Sequence, residues 1–114
     1  MLAVGESLWG EVDDRTRRMS SGLAGGLGCT HEELCGALSG GVLIIGAVYG
    51  RARSDEDDTE CNRRVSDFRL QFLQQFGAVR CFDLRASGYG SDGQWPCSVL
   101  VERATRVLCA MLAE

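Results

Sequence analysis

The residues best equipped for chemistry in this sequence are its six cysteines, Cys29, Cys35, Cys61, Cys81, Cys97 and Cys109. A thiolate is a nucleophile, half of a redox couple and a soft metal ligand, so their grouping decides which chemistry is open. Cys29 and Cys35 stand too far apart for a Cys-x-x-Cys redox pair or a usual zinc spacing. Cys29, Cys35, Cys81 and Cys97 fall at expected helix starts or in loops, and the positive end of a helix favours a thiolate. Arg80 and Arg85 flank Cys81 and should act in the same direction. Cys61 and Cys109 fall within amphipathic helices and read as buried small hydrophobes. His31, the single histidine, lies beside Cys29 and reads either as a capping or surface residue or as a proton-transfer or ligand group. Being alone, it excludes a multi-histidine metal site within one chain.

The element that must position these groups is the stretch 30–50. Thr30 and Glu33 have the spacing of a capping box, which predicts a helix start there. No charge follows until Arg51. From Leu34 to Tyr49 the run is roughly 24 Å at about 1.5 Å per residue, short of the roughly 30 Å of a bilayer core. It is therefore expected to be the central helix of a soluble bundle, with Gly36 and Gly40 one turn apart to admit a neighbouring backbone. The same glycines could instead leave room beside Cys35 for a thiol, a metal or a substrate.

Around it, Leu2–Trp9 reads as a short helix, and Asp13 or Asp14 as the cap of a second carrying Met19 and Leu23 inward. Gly22, Gly25, Gly26 and Gly28 form a glycine-rich stretch only loosely like a phosphate loop. No strand precedes it and no Gly-Lys-Ser/Thr follows, so a turn or close packing is expected. Ser54 and the acidic run Asp55–Asp58 predict a helix start whose charges complement the macrodipole, without the glycine and spacing of a calcium loop. Cys61, Val65, Phe68, Phe72 and Phe76 then make an apolar stripe ending at Gly77. A short segment around Cys81 leads to a glycine-rich loop from Ala86 to Pro96, expected to lie outside the core. Pro96 opens the last helix, with Leu100, Ala104, Val107, Leu108 and Met111 inward and Cys109 core-like.

The expected fold is all-α: a single domain over residues 1–114, a compact bundle of about five helices around the Gly-rich apolar helix at about 30–50. A net charge of −4, with twelve arginines and no lysine, disfavours nucleic acid as a partner and excludes Schiff-base chemistry. The start of the chain lacks the basic segment of a secretory leader, which points to the cytoplasm, where clustered cysteines are more often catalytic or metal-binding than structural.

The run Gly25-Gly26-Leu27-Gly28, then Cys35-Gly36-Ala37-Leu38-Ser39-Gly40-Gly41 and Tyr49-Gly50, with Cys81 and Cys97 downstream, resembles the small redox-active proteins named for their C_GCAxxG_C_C pattern. The likeness covers nearly the whole chain. It implies redox activity through Cys35, Cys81 and Cys97, and a kinship with the cysteine domain of split-Soret cytochromes, which also carry an iron–sulfur centre. Family members usually begin with a further N-terminal segment containing a cysteine, so either this chain is shorter there or Cys29 takes that role. Haem attachment does not carry over, because Cys-x-x-Cys-His is absent.

Three functions follow. One is a thiol redox protein that exchanges disulfides or electrons with a separate donor or acceptor, in which Cys35 attacks and Cys81 or Cys97 resolves. A second is an iron–sulfur or zinc module with Cys29, Cys35, Cys81 and Cys97 as ligands. The third is a helical interaction protein with core cysteines that forms a homodimer through the Gly36/Gly40 face. Helix-start thiols favour the first.

Overall fold

Apolar residues recur at helical spacing between Thr59 and Phe76, and this segment carries the aromatic part of the core. The computed structural model describes residues 1–90 and 93–114 and, among them, six α-helices and one short 3-10 turn. They are α1 (Leu2–Trp9), α2 (Asp14–Ser20), α3 (Gly36–Tyr49), α4 (Thr59–Phe76), α5 (Cys81–Ala86) and α6 (Cys97–Leu112), with the 3-10 turn at Ser21–Leu23. The all-α expectation holds, with one helix more than anticipated.

Phe68 and Phe72 on α4 are fully buried and Phe76 nearly so, and their rings pack in series at 6.3 Å and 4.6 Å between centroids. Burying one such ring contributes roughly 1.5–3 kcal/mol relative to leaving it exposed. Leu38, Ile44 and Ile45 of α3 meet this ladder together with Leu100, Ala104, Leu108 and Met111 of α6. Arg64 ties the three helices at one end: it pairs with Glu60 at 2.7 Å, lies 4.2 Å from the centroid of the Tyr49 ring and donates to the Met111 carbonyl at 3.4 Å.

Several local expectations are met. Asp13 caps α2 by accepting from the Thr16 amide at 3.1 Å. Gly77 ends α4 in the left-handed conformation. α6 starts at Cys97 directly after Pro96. In α4, Cys61 and Val65 are partly buried as the stripe requires.

Others are corrected. α4 begins at Thr59 rather than after Ser54, because Asp57 accepts from both the amide and the hydroxyl of Thr59, while Glu56 folds back onto the Ala52 and Arg53 amides. Met19 and Cys109 are exposed, since neither lies on the side of its helix that meets the core. α3 is not enclosed all round: Leu43 and Val48 are more than two-fifths exposed. The Ala86–Pro96 loop does reach the core, for Tyr89 is buried edge-on against Phe76 and stacks on Trp95, and its hydroxyl accepts from Arg103 at 3.1 Å. Ser91 and Asp92 of that loop lie outside the described residues.

The glycines of α3 are spent on close approach within the chain. A Cβ at Gly36 would stand 2.9 Å from the Leu23 carbonyl oxygen, and one at Gly40 would stand 3.3 Å from Met1 Cβ. At Gly41 it would run into the Phe68 ring, whereas Gly46 has open space beside it. Gly46→Ala should therefore stabilise the fold by up to about 1 kcal/mol through helix propensity alone. Gly41→Ala should destabilise it, because Phe68 cannot yield without disturbing Phe72. Thermal unfolding of the two variants, with midpoints moving in opposite directions, checks the assignment.

Candidate thiol site

The site begins with a backbone conformation that few residues accept. Gly25, Gly26, Leu27, Gly28 and Cys29 are consecutive residues with φ between +59° and +69°. Glycine takes this left-handed form freely, while other L-residues pay roughly 1–2 kcal/mol each. Three glycines in five positions make the turn affordable, and this is what the glycine-rich stretch is for. The turn also explains why the capping box at Thr30 does not act. The Thr30 hydroxyl is engaged with the Gly26 and Leu27 carbonyls at 2.9 Å, and His31 has φ +63°, so no helix can start here. Cys29 consequently sits in a turn and not at a helix end.

Beyond the turn, the Cys35 amide donates to the Val79 carbonyl at 2.9 Å and the Cys81 amide donates to the Glu33 carbonyl at 2.8 Å, forming an isolated antiparallel bridge between Leu34 and Arg80. Successive residues of an extended pair point to opposite faces. Leu34 and Arg80 thus share one face, and Cys35 and Cys81 share the other as diagonal neighbours. Such neighbours have Cα atoms roughly 7–8 Å apart, slightly beyond the usual disulfide span of about 4.4–6.8 Å. A direct Cys35–Cys81 bond would need the backbone to shift.

Cys35 caps α3 and Cys81 opens α5, and both are buried; Cys97 opens α6 and is exposed. All three line one cavity of about 330 Å³, walled by Leu2, Leu23, Ala24, Ala37, Leu100 and Val101 among others. Cys81 fits because Gly26 has no side chain: a Cβ there would stand 2.6 Å from Cys81 Cβ. Cys29 is exposed and turned toward Gly25, whose missing Cβ would lie 3.1 Å from its Sγ. It borders the cavity through Gly25 and does not line it.

Electrostatics reverses part of the expectation from helix ends. Burial pushes the Cys35 thiol above its ordinary value, and neighbouring Cys81 and Cys97 add to this, while the amides of Ala37 and Leu38 pull it back. Burial likewise raises Cys81; Arg85 opposes the shift, and Cys97 and Cys29 reinforce it. Desolvation outweighs the helix dipole because both thiols have left water. Arg80 does not act on Cys81 as expected, since its guanidinium donates to the Glu32 carbonyl at 2.8 Å and 3.2 Å.

The remaining candidates lie apart. Cys61 packs against the core on α4, and Cys109 is on the outer side of α6. His31 lines a separate cavity with Phe82, Arg85 and Tyr89. Among the described residues, no group of three or more Cys, His, Asp or Glu side chains is arranged to hold a metal ion. Nor, among them, is any helix long and apolar enough to cross a membrane. Sequence reasoning missed the apolar wall, since nothing local marks Leu2, Leu23 and Val101 as neighbours of a thiol.

A sequence profile described as "Putative redox-active protein (C_GCAxxG_C_C)" matches residues 1–111. The chain belongs to this family. Comparisons with curated proteins and with solved structures return no match. The C_GCAxxG_C_C family is thus described as redox-active, and in this member its downstream cysteines, Cys81 and Cys97, reach the cavity that also holds Cys35.

The raised thiols have a measurable consequence. Alkylation of Cys35 and Cys81 in the folded protein should be slow near neutral pH and accelerate only as pH rises past the ordinary value of 9.0. Because folding raises both, their thiol forms impose no cost below the unfolded value, and stability is lost as pH climbs through the folded one. Mass-resolved alkylation from pH 7 to 11, beside the unfolded chain, measures the first effect, and chemical denaturation over the same range measures the second.

Proposed function

We propose that this chain is a thiol–disulfide redox protein whose exchange runs through Cys97, Cys81 and Cys35. The observation that carries the reading is the shared cavity, with an exposed thiol at a helix start and two buried ones behind it. That gradient supports roles different from those expected from helix starts, by which Cys35 is the attacker. Cys97, being reachable, attacks; Cys35, being buried and raised, does not.

In the forward step the Cys97 thiolate attacks one sulfur of a disulfide RSSR, forming a Cys97–SR mixed disulfide and expelling RS⁻. Cys81, whose thiolate burial disfavours and Arg85 only partly restores, then loses its proton, attacks Sγ of Cys97 and expels the second RS⁻. The protein loses two thiol protons, which go to the two leaving thiolates, and gains one Cys81–Cys97 disulfide. Cys35 is the third thiol of the cavity, able to displace Cys81 from its bond to Cys97. An external dithiol, itself oxidised to a disulfide, returns the protein to its reduced state.

Thiol counting tests this directly. Stoichiometric oxidation of anaerobically prepared protein by a small disulfide should remove two titratable thiols, and reductant should restore them. Cys97→Ala should lose the fast phase, Cys81→Ala should accumulate the mixed disulfide as a mass increase of one RS group, and Cys109→Ala should behave as the parent. Retention of every thiol, or iron with acid-labile sulfide in the anaerobic preparation, would overturn the assignment in favour of a metal centre or a structural role.

A further inference from the structure

The thiol cavity has a chemical character as well as thiols. Among the described residues, no Asp, Glu, Arg or His side chain lines it. Its walls are aliphatic, from Leu2, Leu23, Ala37, Leu100 and Val101, and the hydroxyl of Ser20 on its lining is already committed as a donor to the Arg17 carbonyl at 2.9 Å. Burial also draws the Met1 amino group toward its neutral form. The volume of about 330 Å³ is at the small end of pockets that take organic ligands, roughly 300–1,000 Å³. On the α6 side of the lining Cys97 and Val101 are exposed, whereas Cys35 and Cys81 are buried.

We infer that the substrate of this site is a small, uncharged organic disulfide that enters the aliphatic cavity beside Cys97. This rests on the redox reading above and adds to it the selection of substrate. A carboxylate or ammonium group carried into such a wall loses its hydration and meets no charged side chain among the described lining residues in return. A neutral molecule of the same length loses little and gains contact with Leu100 and Val101. The exchange is balanced as before: RSSR becomes two RSH while two protein thiols become one disulfide.

A matched series of linear disulfides separates the possibilities. Bis(2-hydroxyethyl) disulfide is neutral, cystamine is a dication and 3,3′-dithiodipropionate is a dianion at pH 7.5. Rates of thiol loss in the reduced full-length chain, each divided by the rate of the same disulfide with the urea-unfolded chain, remove intrinsic reactivity. The neutral compound should exceed both charged ones by at least about tenfold after this correction. Val101→Arg, at an exposed position of the lining, should raise the dianion's corrected rate, lower the dication's and leave thermal stability close to the parent's. Equal corrected rates for the three disulfides, or a preference for a charged one in the parent chain, would overturn the neutral-substrate inference while leaving the redox reading standing. Failure of all three to remove thiols from the folded chain would overturn both.

Discussion

Two backbone hydrogen bonds, from Cys35 to Val79 and from Cys81 to Glu33, are the constraint on which the thiol arrangement depends. They join segments more than forty residues apart and set the register in which α3 and α5 begin. With that register, Cys35 and Cys81 share a face; with a slip of one residue they would not. Polar backbone groups between helices must find partners, and this bridge both satisfies them and aims the sulfurs.

The left-handed turn ahead of the bridge serves the same end. Gly26 removes the one Cβ that would collide with Cys81, and Gly36 allows the Leu23 carbonyl to lie against the start of α3. The close approaches that the small residues here permit are filled from within the chain, by Leu23, Ala24, Met1 and Phe68. The cavity is what remains between the first turn of α3, the start of α6 and the α1–α2 region after those approaches are made. Helices α3, α4 and α6 form the core on the phenylalanine ladder, and the cavity opens at its margin, where Cys35 and Leu100 belong to both.

Burial and helix ends compete at each thiol, and their balance differs by position. Cys35 has the amides of Ala37 and Leu38 aimed at it, yet desolvation prevails. Cys81 has Arg85, yet again desolvation prevails. Cys97 stands at an equally ordinary helix start but is exposed. Accessibility, more than proximity to a helix dipole, therefore distinguishes Cys97 from Cys35 and Cys81.

Much of the helical frame was legible in local patterns. The α4 stripe, the Asp13 cap, the Gly77 stop and the Pro96-Cys97 start each depend on residues within a few positions of one another, and each is found. Membership of the C_GCAxxG_C_C family was equally written in the order of Cys35, Gly36, Ala37, Gly40, Cys81 and Cys97. What local pattern could not reach was decided by distant partners: Thr30 does not start a helix because the glycine turn and the bridge to Arg80 claim that backbone, and Tyr89 enters the core because Phe76 is there to receive it. The order of the thiols from exposed to buried belongs to the same class, since desolvation is a property of everything packed around an atom, and a sequence lists only what is bonded to it.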